Sequence, residues 1–429
     1  MKKTKFQAPT GTHDIFGEDQ EYFKIIREAV EEIAAFYDFS KIDTPIIEQE
    51  ELFSLGLGLS SEVVQKQMYT FKTKGDDLLT LRPEGTAPVV RAFLEHGMIN
   101  LPQPVKFFYC GPFFRYENPQ AGRFRQFWQF GFEVLGEEGA VIDAQIIQIF
   151  YNIFKDLGLK NLSIELNSIG DSQCRPYYKK LLAHYFRSRE HSLCVDCCRR
   201  LKENPLRILD CKEEGCQAIK SQAPQTVDHL CDLCRRHFKE VLEFLDEIEL
   251  PYRLNPRLVR GLDYYTRTVF EIFEEGENMS ALAGGGRYDP LAKLLGGAET
   301  AGVGGAAGVE RVIQAMKEKK VEIIKAAEPR IFLAQLGGLA KCRSLKLVEE
   351  FRKAKVPIYE LLGRDSLKTQ LNRADKLGVE YTLILGQKEA LENSIISRDM
   401  KSGRQETIKI DKILEEVKKK LKENYIKEK

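Results

Sequence analysis

The sequence predicts an α+β fold, and three observations predict it. Short apolar segments broken by glycine and proline fill much of residues 1–325, as antiparallel strands with long loops do. A cysteine-rich stretch with helical periodicity interrupts them over 172–250. From 326 to 429 strand and helix patterns alternate, which implies a separate α/β domain with a parallel sheet.

Taken in order, Glu18 to Phe36 places Tyr22, Ile25, Ile26, Val30, Ile33 and Ala34 at helical spacing. Phe39 to Ile47 is extended, with Pro45 in it. Strands are expected at Leu78 to Arg82, Val105 to Gly111 and Gln126 to Leu135, and a helix at Asp143 to Leu157. Inside the insertion, Tyr177 to Arg189 and Cys231 to Ile248 have helical periodicity. Strands return at Tyr264 to Phe273 and Gly304 to Gly308, before a helix from Val309 to Lys319. The charged segment Lys317 to Pro329 reads as a linker. Arg330–Leu336, Pro357–Leu362 and Glu380–Leu385 are then strands, separated by helices at Lys341–Lys353 and Ser366–Leu377. A hairpin at Lys401–Gly403 and a lysine-rich terminal helix complete the chain.

A chain of 429 residues, 43% hydrophobic and 30% charged, suits a soluble protein of two or three domains. With a formal net charge of +1, any polyanion must be bound by local patches. No signal-peptide run follows the basic start, and no stretch approaches the roughly 20 apolar residues of a membrane span. A cytoplasmic location is expected, so the ten cysteines do not suggest a disulfide framework.

Arg260–Thr266, RGLDYYT, joins a permanent cation, a glycine and two phenols, a set suited to an anion beside a flat polar ring. Alone it could be a loop salt-bridged to a neighbour. In Phe113–Gly136, Arg115, Arg123 and Arg125 bracket a turn-prone tip and can hold phosphates bidentately. On the following strand Phe127, Gln129, Gly131 and Glu133 share one face; the alternative is a surface hairpin with solvated arginines. Glu84 and Thr86 stand at a strand-to-helix junction, where they would bind an ammonium or cap the helix. Gly284–Gly286 permit close approach to a flat ligand, or form a flexible turn. Gly302–Gly308 lack the preceding strand of a dinucleotide site and read as a strand entering a helix, with Arg311 aimed back at the site.

Seven cysteines fall between Cys194 and Cys234. The pairs Cys194/Cys197 and Cys231/Cys234 form a candidate structural zinc site, with His191 and His237 as alternates. Buried free thiols are the equal alternative.

In this order, these segments resemble the histidyl-tRNA synthetases, a class II aminoacyl-tRNA synthetase family, over nearly the whole chain. FRYENPQAGRFRQF resembles the second class signature and AGVGGAAGVERV the third, while RGLDYY and AGGGRYD are similar to two segments peculiar to this family. The resemblance implies a class II antiparallel-sheet catalytic domain with a helical insertion, a C-terminal anticodon-binding α/β domain, and a homodimer joined through the early helix and strand. It implies ATP, with Mg²⁺, L-histidine and tRNA(His) as substrates, and histidyl-adenylate as intermediate. Arg115 and Arg260 would hold the α-phosphate and carboxylate, and Arg123 and Arg311 the outer phosphates. Phe127 and Arg311 would sandwich the adenine. Glu84, Gly85, Thr86 and Gln129 would bind the amino end of histidine. Glu133 and Tyr265 would take the imidazole nitrogens, with Tyr264 lining the slot. Asn118, Gln120 and Arg125 would meet the tRNA acceptor end.

Two departures stand out. Gly305 replaces a common phenylalanine, which calls the packing near the adenine into question, and the cysteine-rich insertion is not general in the family. Two rival readings remain: the family's non-aminoacylating regulatory paralogue of histidine biosynthesis, which typically loses the phosphate-binding arginines, and a zinc-dependent nucleic-acid module, which accounts for the insertion alone.

Overall fold

An amphipathic helix, α1 (Glu18–Phe36), opens the first of two units by burying Tyr22, Phe23, Ile26, Val30 and Ala34 along one stripe. The computed structural model describes residues 5–59, 61–119, 122–275, 281–323, 330–363 and 366–427, with side chains to 421. The units are Met1–Ile323 and Ile324–Lys429. After α1 come β1 (Ser40–Lys41), β2 (Ile47–Gln49), α2 (Glu50–Leu57), β3 (Tyr69–Lys72), β4 (Leu78–Leu81) and α3 (Thr86–Glu95). The expected strand at Leu78 lies in a small antiparallel sheet of order β2-β4-β3, apart from the main sheet. Next follow β5 (Val105–Phe114), β6 (Gln126–Leu135), α4 (Ala140–Asp156) and β7 (Leu162–Ser168). The insertion carries α5 (Arg175–Arg187), α6 (Val195–Glu203), α7 (Glu214–Ser221) and α8 (Asp232–Glu247). The chain returns through β8 (Tyr252–Leu254), β9 (Thr266–Glu274), β10 (Ala281–Arg287), α9 (Leu291–Leu294), β11 (Gly302–Gly308) and α10 (Val309–Glu318).

The eight-stranded sheet has the order β1-β5-β6-β11-β10-β9-β7-β8. Its pairs are antiparallel except at the two edges, β1 with β5 and β7 with β8. Because side chains alternate along a strand, the two faces differ in kind. One face buries Phe108, Phe130, Phe132, Val134, Val303, Phe270 and Ile164 against Ile146, Phe150 and Phe154 of α4. Along the other, Gly131 pairs with Ala306, Ala306 with Gly284, and Gly284 with Glu271. The glycine run Gly284–Gly286 is therefore strand β10 and not a flexible turn.

Gly305 corrects an expectation. It pairs with Phe132 and faces the core, where an added Cβ would stand 2.9 Å from Phe150 and 3.0 Å from Phe270. Those two rings fill the space a phenylalanine would take, so this glycine concerns core packing and not the opposite face of the sheet.

A buried ion pair fastens the sheet to its helices. Arg287 of β10 is fully buried and donates to Asp143 of α4, whose Oδ1 lies 3.2 Å from His237 Nε2 of α8.

The metal set expected from sequence is also corrected. Cys194 and Cys197 gather with Cys211 and Cys216, whereas Cys231 and Cys234 gather with Cys174 and Asp171. The four C-x-x-C sulfurs thus belong to two clusters, because each pair opens a different helix, α6 or α8.

The second unit contains β12 (Ile331–Gln335), α11 (Gly338–Lys353), β13 (Tyr359–Glu360), α12 (Leu367–Lys376), β14 (Tyr381–Leu385), α13 (Gln387–Leu391), β15 (Ser394–Asp399), β16 (Gln405–Lys409) and α14 (Ile413–Lys427). Its sheet, β13-β12-β14-β15-β16, is parallel across the first three strands and ends in an antiparallel hairpin. Ile331, Leu333, Leu383, Phe351 and Val417 form its core. The expected linker lies partly outside the described residues.

Replacing Asp143 by alanine leaves the Arg287 guanidinium buried without that carboxylate. The expected cost is about 3–5 kcal/mol in urea unfolding, as for other broken buried pairs. An unchanged midpoint would remove the pair from the supports of the fold.

Candidate active site

Two buried carboxylates organise one end of the open sheet face. Glu133 of β6 accepts the Thr86 hydroxyl at 2.7 Å and the Tyr288 hydroxyl at 2.6 Å. An added Cβ at Gly304, its strand partner, would collide with that carboxylate, so glycine leaves the room it occupies. Glu84 accepts the Thr86 N–H at 2.7 Å and the Ala87 N–H at 2.8 Å, capping α3. The Tyr264 hydroxyl lies 3.4 Å from Glu84 Oε2. Glu84 is thus a helix cap in this structure, with acceptor capacity left over for a ligand.

Burial raises the pKa of both carboxylates. For Glu133 it outweighs the two hydroxyl donors and, helped by the neighbouring Glu84 charge, pushes the pKa up to about 8. Tyr264 and Tyr265 pack with ring centroids 4.6 Å apart and planes tilted by 50°, beside these acids. Gln129, on the same face of β6, has a buried Oε1 without a hydrogen-bond partner among the described residues. So does the hydroxyl of Tyr109, whose ring occupies the space a Cβ would need at Gly85 and at Gly131. Both unpaired groups offer a polar ligand a partner.

The arginines gather next to this slot. Arg260 pairs with Glu271 of β9 and stands 5.8 Å from the centroid of the Tyr265 ring. A Cβ at Gly284 would strike the Arg260 guanidinium, so β10 runs directly beneath it. Burial disfavours the Arg260 charge, but Glu271 and the tyrosines outweigh that and raise its pKa. Arg115 donates to the Pro83 carbonyl at 2.8 Å and lies 5.5 Å from the Phe127 ring centroid. Glu117 sits between Arg115, at 4.0 Å, and Arg123, at 3.8 Å. Arg311, in the first turn of α10, donates to the Ala281 carbonyl at 2.9 Å. Burial lowers its pKa, and the nearby Arg123 and Arg115 charges lower it further. Glu271 feels both Arg260 and Arg311. Four guanidiniums from three segments of the chain therefore share one electrostatic neighbourhood, which favours an anion.

Of the loop residues, Asn118 is exposed, Arg125 stacks at 3.8 Å over Tyr116, and Gln120 lies outside the described residues. The insertion adds a wall: a cavity beside Arg260 and Tyr265 is lined by Arg175, Lys179, Asn204 and Arg207. Tyr109, Tyr288 and Glu271 carry no role in the sequence reading, although Tyr288 stands within AGGGRYD. Strand register could have found Glu271, which pairs with Gly284, but no local motif marks Tyr109.

Known proteins resemble this chain over nearly its whole length. A family model described as histidyl-tRNA synthetase matches residues 11–312, and one described as anticodon binding domain matches 338–420. The histidine–tRNA ligase of Dehalococcoides mccartyi is 45% identical over 417 residues, covering 97% of this chain and 100% of the relative. That of Desulfitobacterium hafniense is 45% identical over 420 residues, covering 97% and 99%. The crystal structure of the apo S. aureus histidyl-tRNA synthetase superposes with a TM-score of 0.79 at 36% identity, covering 96% of this chain and 99% of that one.

The Glu133 carboxyl makes a pH prediction. Its pKa is raised on folding, so the native state keeps a proton that the unfolded chain releases. The associated stability is complete below the ordinary carboxyl pKa of 4.5 and is lost as pH rises through about 8. Glu133→Gln removes that proton, so its melting temperature is expected to fall less than that of the parent across this window. Parallel melting curves would show that Glu133 is ionised in the unliganded fold.

Proposed function

The chain belongs to the histidyl-tRNA synthetase family, and from that premise we propose how its residues carry out the reaction. Its function is that of a histidine–tRNA ligase, and full-length relatives of that name favour this over the regulatory paralogue. In the first step the histidine carboxylate attacks the α-phosphorus of ATP, giving histidyl-adenylate and pyrophosphate. In the second, the terminal ribose hydroxyl of tRNA(His) takes the histidyl group and AMP leaves.

Charge builds at the α-phosphate in the first step, so fixed cations are the main catalytic lever. Arg260 and Arg115 hold the α-phosphate and the attacking carboxylate. Arg123 and Arg311 take the outer phosphates of the nucleotide, which enters with its Mg²⁺. Phe127 and Arg311 flank the adenine. Glu84, Thr86 and the unpaired Gln129 Oε1 receive the α-ammonium, with the Gly85 backbone beside them. Glu133 and Tyr265 pair with the two imidazole nitrogens, and Tyr264 lines the slot. A pocket that hydrogen-bonds its substrate in this way can reject analogues by roughly 10⁴-fold, since a wrong ligand leaves buried groups unpaired. The observation that carries the reading is the gathering of Arg115, Arg123, Arg260 and Arg311 beside the buried Glu133–tyrosine slot.

Asn118, Gln120 and Arg125 meet the acceptor end of the tRNA, and the second unit binds its anticodon. The enzyme acts in the cytoplasm; no helix among the described residues is long and apolar enough to cross a membrane. It works as a homodimer through α1 and the small sheet, a reading supported by exposed Phe36, Ile46, Ile47, Phe71 and Leu78. Sedimentation equilibrium should then give the mass of two chains, and a stable single-chain mass would refute the dimer.

Histidine-dependent exchange between ATP and pyrophosphate is expected without tRNA. Its absence in folded protein would overturn the proposed first step. Arg260→Ala should lose roughly 10²-fold or more in turnover, the effect of deleting one preorganised transition-state donor. Near-normal turnover would remove Arg260 from that role.

A further inference from the structure

Seven cysteines and one aspartate gather into two sets that the aminoacylation reaction does not use. Cys194, Cys197, Cys211 and Cys216 form the first, and Asp171, Cys174, Cys231 and Cys234 the second. Within each set the candidate ligand atoms all lie within 4.8 Å of one another.

The two C-x-x-C pairs are built alike. Cys194 precedes α6 with φ −69° and ψ 163°, and Cys231 precedes α8 with φ −67° and ψ 164°. Cys197 and Cys234 then fall in the first helical turn, so each pair directs two sulfurs to one point. That point lies at the positive end of a helix dipole, which favours thiolate. In the first set the Cys194 N–H donates to Cys216 Sγ at 3.3 Å, and Cys194 Sγ lies 3.8 Å from Cys211 Sγ. A tetrahedron with zinc–sulfur bonds of about 2.3 Å has edges of about 3.8 Å. In the second set Asp171 Oδ1 lies 3.2 Å from Cys174 Sγ, and Oδ2 3.9 Å from Cys231 Sγ.

Packing alone does not account for the second set. The buried core there consists of Cys174, Leu230 and Cys234, with Cys231 against it. Three thiols and one leucine form a small apolar cluster, and a carboxylate among thiols is a poor core but a good ligand set. Small subdomains short of core commonly rely on a metal instead.

We infer that the insertion holds two zinc ions, one on Cys194, Cys197, Cys211 and Cys216, the other on Asp171, Cys174, Cys231 and Cys234. Each coordinating thiol releases its proton to solvent on binding. The second ion joins the segment after β7 to the start of α8, which are 60 residues apart. It also braces the tyrosine pair. Gly170, beside Asp171, accepts from the Arg267 N–H at 2.9 Å and the Thr266 hydroxyl at 3.2 Å. Arg175, beside Cys174, donates to the Tyr265 carbonyl at 2.6 Å. This last coupling rests on the proposed histidine-binding role of Tyr265; the metal assignment does not.

Elemental analysis of the full chain, purified with reductant and without chelator, should find two zinc ions per chain. X-ray absorption should show seven sulfurs and one oxygen shared between them. Cys211→Ser and Cys174→Ser should each retain one ion, and cobalt substitution should give a four-sulfur spectrum only when the first set is intact. A metal-free chain with all ten thiols titratable would overturn the proposal. A single ion lost in both variants would replace it with one mixed site. If a variant fails to fold, the metal content and absorption spectrum of the parent still decide. For the brace, Cys174→Ser should raise the KM for histidine about tenfold, and clearly more than Cys211→Ser does. An equal KM in the two variants would overturn the coupling.

Discussion

A strand carries side chains on alternate faces, and the open face of the main sheet is nearly bare at its centre. Gly131, Ala306 and Gly284 lie side by side on three neighbouring strands, with Gly304 beside Glu133. A Cβ at position 284 would strike Arg260, one at 304 would strike Glu133, and one at 131 would strike Tyr109. The glycines therefore fix the places of a guanidinium, a carboxylate and a phenol at once. Each interior glycine costs roughly 0.5–1 kcal/mol relative to alanine. The opposite face offsets this, because a fully buried phenylalanine contributes roughly 1.5–3 kcal/mol and Phe108, Phe130, Phe132 and Phe270 all lie there. One face can be empty because the other is full.

The same face is electrostatically unfinished. Arg115 and Arg123 share Glu117 only at 4.0 and 3.8 Å, distances at which a half-exposed pair is worth little. Arg311 is held against the charges of both. Glu133 resists ionisation where it is buried, yet an imidazole N–H would be a strong donor to its charged form. An anionic nucleotide relieves the first tension and an imidazole the second. In the proposed reaction, ligand binding supplies the partners that folding leaves out.

Much of this was legible in the chain. The long elements follow from periodicity: α1 and β6 have the expected bounds, and the alternating strands and helices of the second unit form its three parallel strands. The third glycine-rich segment reads as a strand entering a helix because Val309 to Met316 carries a clear apolar stripe. The run Gly284–Gly286 was ambiguous, since glycine has no strand propensity of its own and only pairing on both sides makes it β10. Gly305 could be placed only from its register with Phe132. Cysteine spacing could not say which pairs share a cluster, because Asp171 and Cys174 lie more than fifty residues before Cys231 and meet it only in the fold. Glu271 was hidden for the same reason.

The insertion and the slot proposed for the amino acid are mechanically one assembly. Asp263, in the segment between Arg260 and Tyr264, accepts from Arg207 and Asn204 of the insertion, each at 3.2 Å. Arg175 holds the Tyr265 carbonyl, and Asp143 links His237 of α8 to Arg287, next to Tyr288. Discrimination by unpaired polar groups works only if those groups cannot relax toward a wrong ligand. A tyrosine pair on a free loop would relax, at a cost smaller than the penalty it is meant to impose. Anchoring the segment at Asp263, Tyr265 and Tyr288 removes that escape, and it makes the insertion part of the specificity proposed for the slot.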